Sequence, residues 1–127
     1  MADMVNGYLV DVEAGIVESV RFEACLHEYC RLIGCDCIDI VIEQMGGVLV
    51  SVIVDDEGLL KDSPRLAIRT ANEGLYGSSL VLGFDRGTRD VRGLTDAEMA
   101  AVGMCVRFAA FSDGTLREVM VTDDIAR

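Results

Sequence analysis

Tryptophan is absent from this 127-residue sequence, proline and histidine occur once each, and basic residues are half as numerous as acidic ones, 11 against 22. Each shortage excludes something. A single proline and the lack of any low-complexity tract argue against a disordered chain, and the lack of an internal repeat argues against a solenoid. One histidine leaves little room for histidine-based catalysis. The purest hydrophobic run, VLVSVIV at residues 48–54, is far shorter than the about 20 residues a membrane-spanning helix needs. The start, MADMVNGYLV, has neither a basic segment nor a long apolar one of the leader type. A cytoplasmic protein without membrane association is therefore expected, and in that compartment an odd count of five cysteines reads as thiols rather than a disulfide framework.

What is present is apolar and acidic. Hydrophobic residues make up 51% of the chain and mean hydropathy is +0.36. That is enough for one ordinary core, so residues 1–127 are expected to form a single domain. A net charge of −11 disfavours direct binding to nucleic acid or anionic lipid. The charge is uneven: residues 1–60 carry twelve acids and two bases, residues 61–92 four acids and six bases, and residues 93–127 six acids and three bases. Only the middle of the chain has a basic surplus.

YLVDV, EAG and IVESVRF read as two strands around a tight turn, with Gly15 supplying the positive φ. EACLHEYCRLIG reads as a helix stopped by Gly34. CIDIVIE alternates, with Ile38, Ile40 and Ile42 on one face and Cys37, Asp39, Val41 and Glu43 on the other, and Gly46-Gly47 turns the chain into VLVSVIV. In KDSPRLAIRTANEG, Ser63 is placed to cap a short helix that has Pro64 at its first position. SLVLGF at 79–84 is a strand. LTDAEMAAVG is a helix with capping-box spacing at Thr95 and Glu98, staple spacing at Leu94 and Met99, and Gly103 as its stop. MCVRFAAF and LREVMV flank Asp113-Gly114 and predict a terminal hairpin within 104–127. The sum is an α+β fold: a mainly antiparallel sheet with two to three short helices.

Three segments taken in order, VDDEGLLKDSP at 54–64, LYGSSLVLG at 75–83 and GLTDAEM at 93–99, resemble a family of small phage and mobile-element proteins with a domain of unknown function, the 3846 type. In that family a strand leads into an Asp-Glu-x-Gly turn, then a Gly-x-x-x-Val-x-Gly strand and a Leu-Thr-x-x-Glu helix start. The resemblance runs from the CIDIVIE strand to residue 102. An asparagine usual after the proline is replaced by Arg65, Leu66 and Ala67, and 104–127 reads as an extension. The resemblance implies a fold and a mobile-element origin, and carries no catalytic residues.

Chemistry is suggested most by CLHEYCRLIGCDC, residues 25–37. Cys25, His27, Cys30, Cys35 and Cys37 have the right atoms for zinc. On a helical wheel with Cys25 at zero, Tyr29, Phe22, Ile33, Leu26 and Cys30 fall between about 40° and 140°, and His27, Arg31 and Glu28 at about 200°, 240° and 300°. The cysteines border the apolar stripe and the histidine faces water, so no metal ligands and no cofactor are assigned. As nucleophiles, Cys25, Cys30 or Cys105 lack a base, although Cys25 lies near a helix start. Asp55, Asp56, Glu57 and Gly58 lack the alternating spacing of a calcium loop and read as a polar turn. Arg65 and Arg69 are one helical turn apart, and Arg86, Arg89 and Arg92 recur at every third position. Arginine suits bidentate anion recognition, so these five are the candidate ligand-binding residues, set against pairing with the chain's own acids.

No catalytic residue is assigned, and a non-enzymatic role is favoured. The first functional reading is an acidic interaction or anti-defence accessory protein that engages a basic host protein. The alternative is a small-ligand protein that binds or sequesters nucleotide or phosphate through the arginine patch, with a homo-oligomer left open.

Overall fold

A computed structural model of the chain describes residues 3–57, 65–71 and 74–125. The apolar–polar alternation and the turn glycines act as expected at the start. β1 (Met4–Asp11) and β2 (Ile16–Glu23) pair antiparallel along their full length. Their turn holds Gly15 at φ 73°, with the Asp11 carboxylate accepting from the N–H groups of Glu13 and Ala14. β3 (Ile38–Met45) and β4 (Val48–Asp55) form a second hairpin. Gly46 and Gly47 both have positive φ there, 60° and 79°, and the Asp123 carboxylate receives both of their N–H groups at 2.7 and 2.9 Å. The C-terminal region thus clips the β3–β4 turn.

β7 (Ser79–Phe84) inserts between the hairpins, giving the order β2-β1-β7-β4-β3, with β8 (Val91–Arg92) paired to the end of β7. The central strands β4 and β7 are buried on both faces, which is why VLVSVIV reads as a continuous apolar run. A second sheet runs β6-β5-β10-β9, from β5 (Leu66–Arg69), β6 (Gly74–Tyr76), β9 (Val106–Ala110) and β10 (Leu116–Val121). All pairings are antiparallel except β5 with β10. The fold is α+β on mainly antiparallel sheets, as expected, with the strands divided between two sheets.

One core lies between the sheets, where Val10, Val52 and Val81 meet Ile68, Met120 and Val102, all fully buried. Leu9, Phe22, Ile53, Leu80 and Leu82 form a second core on the opposite face of the larger sheet, under Ile33 of α1 (Leu26–Ile33). Phe22 and Tyr29 meet edge-on at 5.9 Å between ring centroids. α1 has Cys25 at its N-cap without a side-chain cap bond and ends at Gly34 in the left-handed region. Gly34 and Cys35 both donate to the Cys30 carbonyl. Contrary to the wheel, Leu26 in the first turn is exposed, because α1 rests on the sheet through Tyr29, Leu32 and Ile33.

The box before α2 (Asp96–Gly103) is fully formed: Glu98 N–H donates to Thr95 Oγ1, and Thr95 N–H donates to the Glu98 carboxylate. Gly103 does not act as a left-handed stop, since Met104 is the C-cap in right-handed geometry. Its role is close approach. A Cβ there would lie 2.5 Å from the Tyr8 hydroxyl, which donates to the Met99 carbonyl at 2.7 Å. The short helix expected after Ser63 is corrected: residues 66–69 form β5, while Ser63 and Pro64 lie outside the described residues. Burial of Ala67 and Ile68 and pairing with β10 override the local helix pattern. No helix among the described residues is long and apolar enough to cross a membrane.

Candidate functional site

The turn after α1 folds much of the cysteine–histidine segment into one place. His27, Cys30, Cys35 and Cys37 border a depression of about 670 Å³ that also takes in Asp36, Asp55 and Glu57. Cys25 sits at the other end of the helix, as its N-cap. His27 is exposed, as the wheel placed it. Cys30 directs its thiol at the Asp36 carbonyl at 3.8 Å, while Cys35 packs against the second core. Among the described residues, no three His, Cys, Asp or Glu side chains are grouped so as to hold a metal ion. Cys105 is buried beneath α2, and burial, with Asp123 nearby, raises its thiol above the ordinary value. That disfavours the thiolate a nucleophile requires.

Most of the described acids at this end of the molecule are exposed to solvent. Asp36, Asp39, Asp56 and Glu57 are exposed and Asp55 is half-buried. Among the described residues, the arginine bordering this hollow, Arg31, is paired with Glu28, with bonds of 2.6 and 3.0 Å, and this pairing lowers the Glu28 carboxyl below its ordinary value. Among the described residues, the rim of this partly apolar hollow therefore carries more acids than bases.

The five arginines singled out by sequence do not converge. Arg92 forks onto Glu98 at 2.6 and 2.8 Å, so the β8 end is joined to the capping box of α2. This guanidinium is the largest influence holding the Glu98 carboxyl down to about 2, helped by the Thr95 N–H. Arg86 and Arg89 are exposed on the β7–β8 loop. Asp85 shapes that loop by accepting from the N–H groups of Gly87 and Thr88, and Arg89 takes φ 64°. Arg86 and Arg92 border one depression and Arg89 another. On strand geometry, Arg65 and Arg69 are separated by about 13 Å of chain rather than one helical turn. Arg65 reaches toward the Val12 carbonyl at 3.5 Å, a bond shared with Arg117 at 2.9 Å.

Arg69 does acquire a cationic neighbour that sequence reasoning missed. With Arg107 it borders a depression of about 590 Å³ on the smaller sheet, floored by Val119, Val121 and Ile125. No local pattern marks this pair. Arg69 is on β5 and Arg107 on β9, and only the placement of β10 between those strands brings them to one hollow.

The alternation in β3 is real, but the face it presents to the main core is that of Val41 and Met45. Ile38 packs beneath α1, whereas Ile40 and Ile42 are exposed at 44% and 42% because the two-turn helix does not reach them.

No curated protein and no solved structure matches the chain. A family model does match, over residues 5–106, from β1 to the first residue of β9. It covers more of the chain than the three sequence segments do, and it includes the β1–β2 hairpin and α1. The chain therefore belongs to the family described as a domain of unknown function, DUF3846.

Proposed function

We propose that this chain is a protein-interaction module that recognises a basic partner surface through the acidic end built by the α1–β3 turn and the end of β4. The supporting observation is that Asp36, Asp55 and Glu57 border one hollow, with Asp39 and Asp56 exposed beside it, while Arg31 is neutralised by Glu28. Surface carboxylates of one sign steer a cationic partner and give association a strong salt dependence. The half-apolar lining from Cys30, Cys35 and Cys37 offers contact area beyond charge alone. On this reading the chain works in the cytoplasm, and a mobile-element setting would make the partner a nucleic-acid-handling host protein and the role an accessory or anti-defence one. The test is capture from host lysate at low salt, followed by elution with rising salt. A basic protein whose retention falls as salt rises is expected, and the absence of any such protein would refute the reading.

A second reading has its own observation. Arg69 and Arg107 flank an apolar floor, the arrangement that suits an anion carrying an apolar or planar body, such as a nucleotide. Thermal-shift measurements with linear and cyclic nucleotides should show stabilisation that Arg69→Ala removes. Unchanged melting at millimolar ligand would eliminate this reading.

A further inference from the structure

The smaller sheet treats its two faces differently. Met120 pairs with Ile68 and Val106 and lies with Ile68 in the inter-sheet core, so strand alternation places its neighbours Val119 and Val121 on the opposite face. Registered partners share a face, which sets Arg107 beside Val119 and Arg69 beside Val121. Two strand spacings across and two residues along separate these arginines by roughly 12 Å at Cα, at opposite corners of the valine pair. The hollow they border is walled by β5, β9, β10 and Ile125, with no helix residue among its described lining.

Charge sets this hollow apart from the three others described above. Those place their arginines beside acids: Arg31 with Asp36, Asp55 and Glu57, Arg86 and Arg92 with Asp85 and Glu98, and Arg89 with Asp90. Arg69 and Arg107 border theirs with no acid among the described lining residues, in a chain whose net charge is −11. Arg107 is also pre-positioned. Its Nη1 donates to the Met104 and Val106 carbonyls at 2.7 and 2.8 Å, which leaves outside these bonds Nε and Nη2, the pair through which Arg31 forks onto Glu28. The lining chemistry then narrows the ligand. Apart from the two guanidinium groups, every side chain bordering the hollow is a hydrocarbon. A nucleobase and a ribose carry polar groups that such side chains cannot satisfy, and burying them unpaired costs free energy. An alkyl chain incurs no such cost.

We propose that the Arg69–Arg107 hollow binds an amphiphilic anion, with one carboxylate or phosphate head on an unbranched hydrocarbon tail. The proposal rests on the second reading above for the anion site, and replaces its nucleotide with a ligand whose body is hydrocarbon. Arg107, held by its two backbone bonds, offers the head a fixed fork. The tail lies across Val119 and Val121, where Arg69 adds attraction for the head and covers the tail with its aliphatic stem. The hollow's volume, about 590 Å³, is of the size that small-molecule sites have.

Isothermal titration of the full chain with octanoate, decanoate, dodecanoate and dodecyl phosphate, all below their micelle concentrations, tests this, with dodecyltrimethylammonium as the charge control and linear and cyclic nucleotides alongside. One site is expected for the carboxylates and the alkyl phosphate, tightening about two- to fourfold per added methylene. Against a net charge of −11 an unspecific amphiphile binds best as the cation, so preference for the anion is diagnostic. Arg107→Ala should weaken dodecanoate about tenfold and Arg69→Ala less. Methyl NMR of the wild type gives a reading independent of variant folding: dodecanoate should shift Val119 and Val121 most. No binding of the anions, equal or tighter binding of the cation, affinity indifferent to tail length or to both arginine substitutions, or shifts centred elsewhere would each overturn the proposal. Nucleotide binding at this hollow without amphiphile binding would overturn it and leave the second reading standing, whereas amphiphile binding without nucleotide binding would support it and remove the nucleotide.

Discussion

Glu98 carries two structural duties, as the N3 residue of the α2 capping box and as the partner of Arg92, and acidification should remove both together. Its carboxyl is held down to about 2 from an ordinary 4.5, chiefly by the Arg92 guanidinium. A carboxylate whose folded value is depressed contributes stability that is fully present above the unfolded value and is lost as pH falls through the folded one. The window is therefore about pH 4.5 down to about 2. A shift of this size corresponds to at most about 3 kcal/mol. The side chains are 36% and 20% exposed for Arg92 and Glu98, so solvent screening reduces the expected contribution to about 1–2 kcal/mol. Urea unfolding of wild type and Glu98→Gln at pH 7, 4.5 and 3 measures it directly. The variant should be less stable by about 1–2 kcal/mol at pH 7, and the gap should narrow as pH falls. A gap that is constant across this range, or absent at pH 7, would refute the assignment of the stabilising charge to this pair.

Gly103→Ala should destabilise by about 1–3 kcal/mol, because the new methyl displaces the Tyr8 hydroxyl from the Met99 carbonyl; thermal unfolding beside the Tyr8→Phe variant separates the lost bond from the crowding. Removing residues 104–127 should abolish cooperative unfolding, since Met120 is fully buried in the inter-sheet core and β10 is a central strand. A truncated chain that still melts in a single sharp transition would show that the hairpin is dispensable.

The parts of the fold legible in the sequence are those fixed by neighbours a few residues apart. Gly15, Gly34 and Gly46-Gly47 mark turns that require positive φ, and Thr95 with Glu98 marks a helix start that the backbone uses as written. What was not legible depends on distant chain segments. Ala67 and Ile68 follow a good helix-start pattern, yet they are recruited into a strand by β10, some fifty residues later, through the Met120–Ile68 pairing. The β3 isoleucines alternate as strand residues should, but which face is covered depends on how far α1 extends over the sheet. At the candidate sites the same division holds. The wheel places His27 in solvent, whereas the meeting of Cys30 and Cys37 with Asp55 and Glu57 requires the turn after Gly34 and the β3–β4 pairing. The Arg69–Arg107 neighbourhood requires the entire strand order of the smaller sheet.

The claim that the acidic end recognises a basic partner is tested most directly by titrating the captured partner with wild type and with Asp36→Asn/Asp56→Asn/Glu57→Gln over a salt series. These residues are surface groups at the rim, so the triple variant should fold normally. It should lose affinity about tenfold or more at low salt and show a flatter salt dependence than wild type. Equal affinity and an equal salt slope for the two proteins would contradict the account.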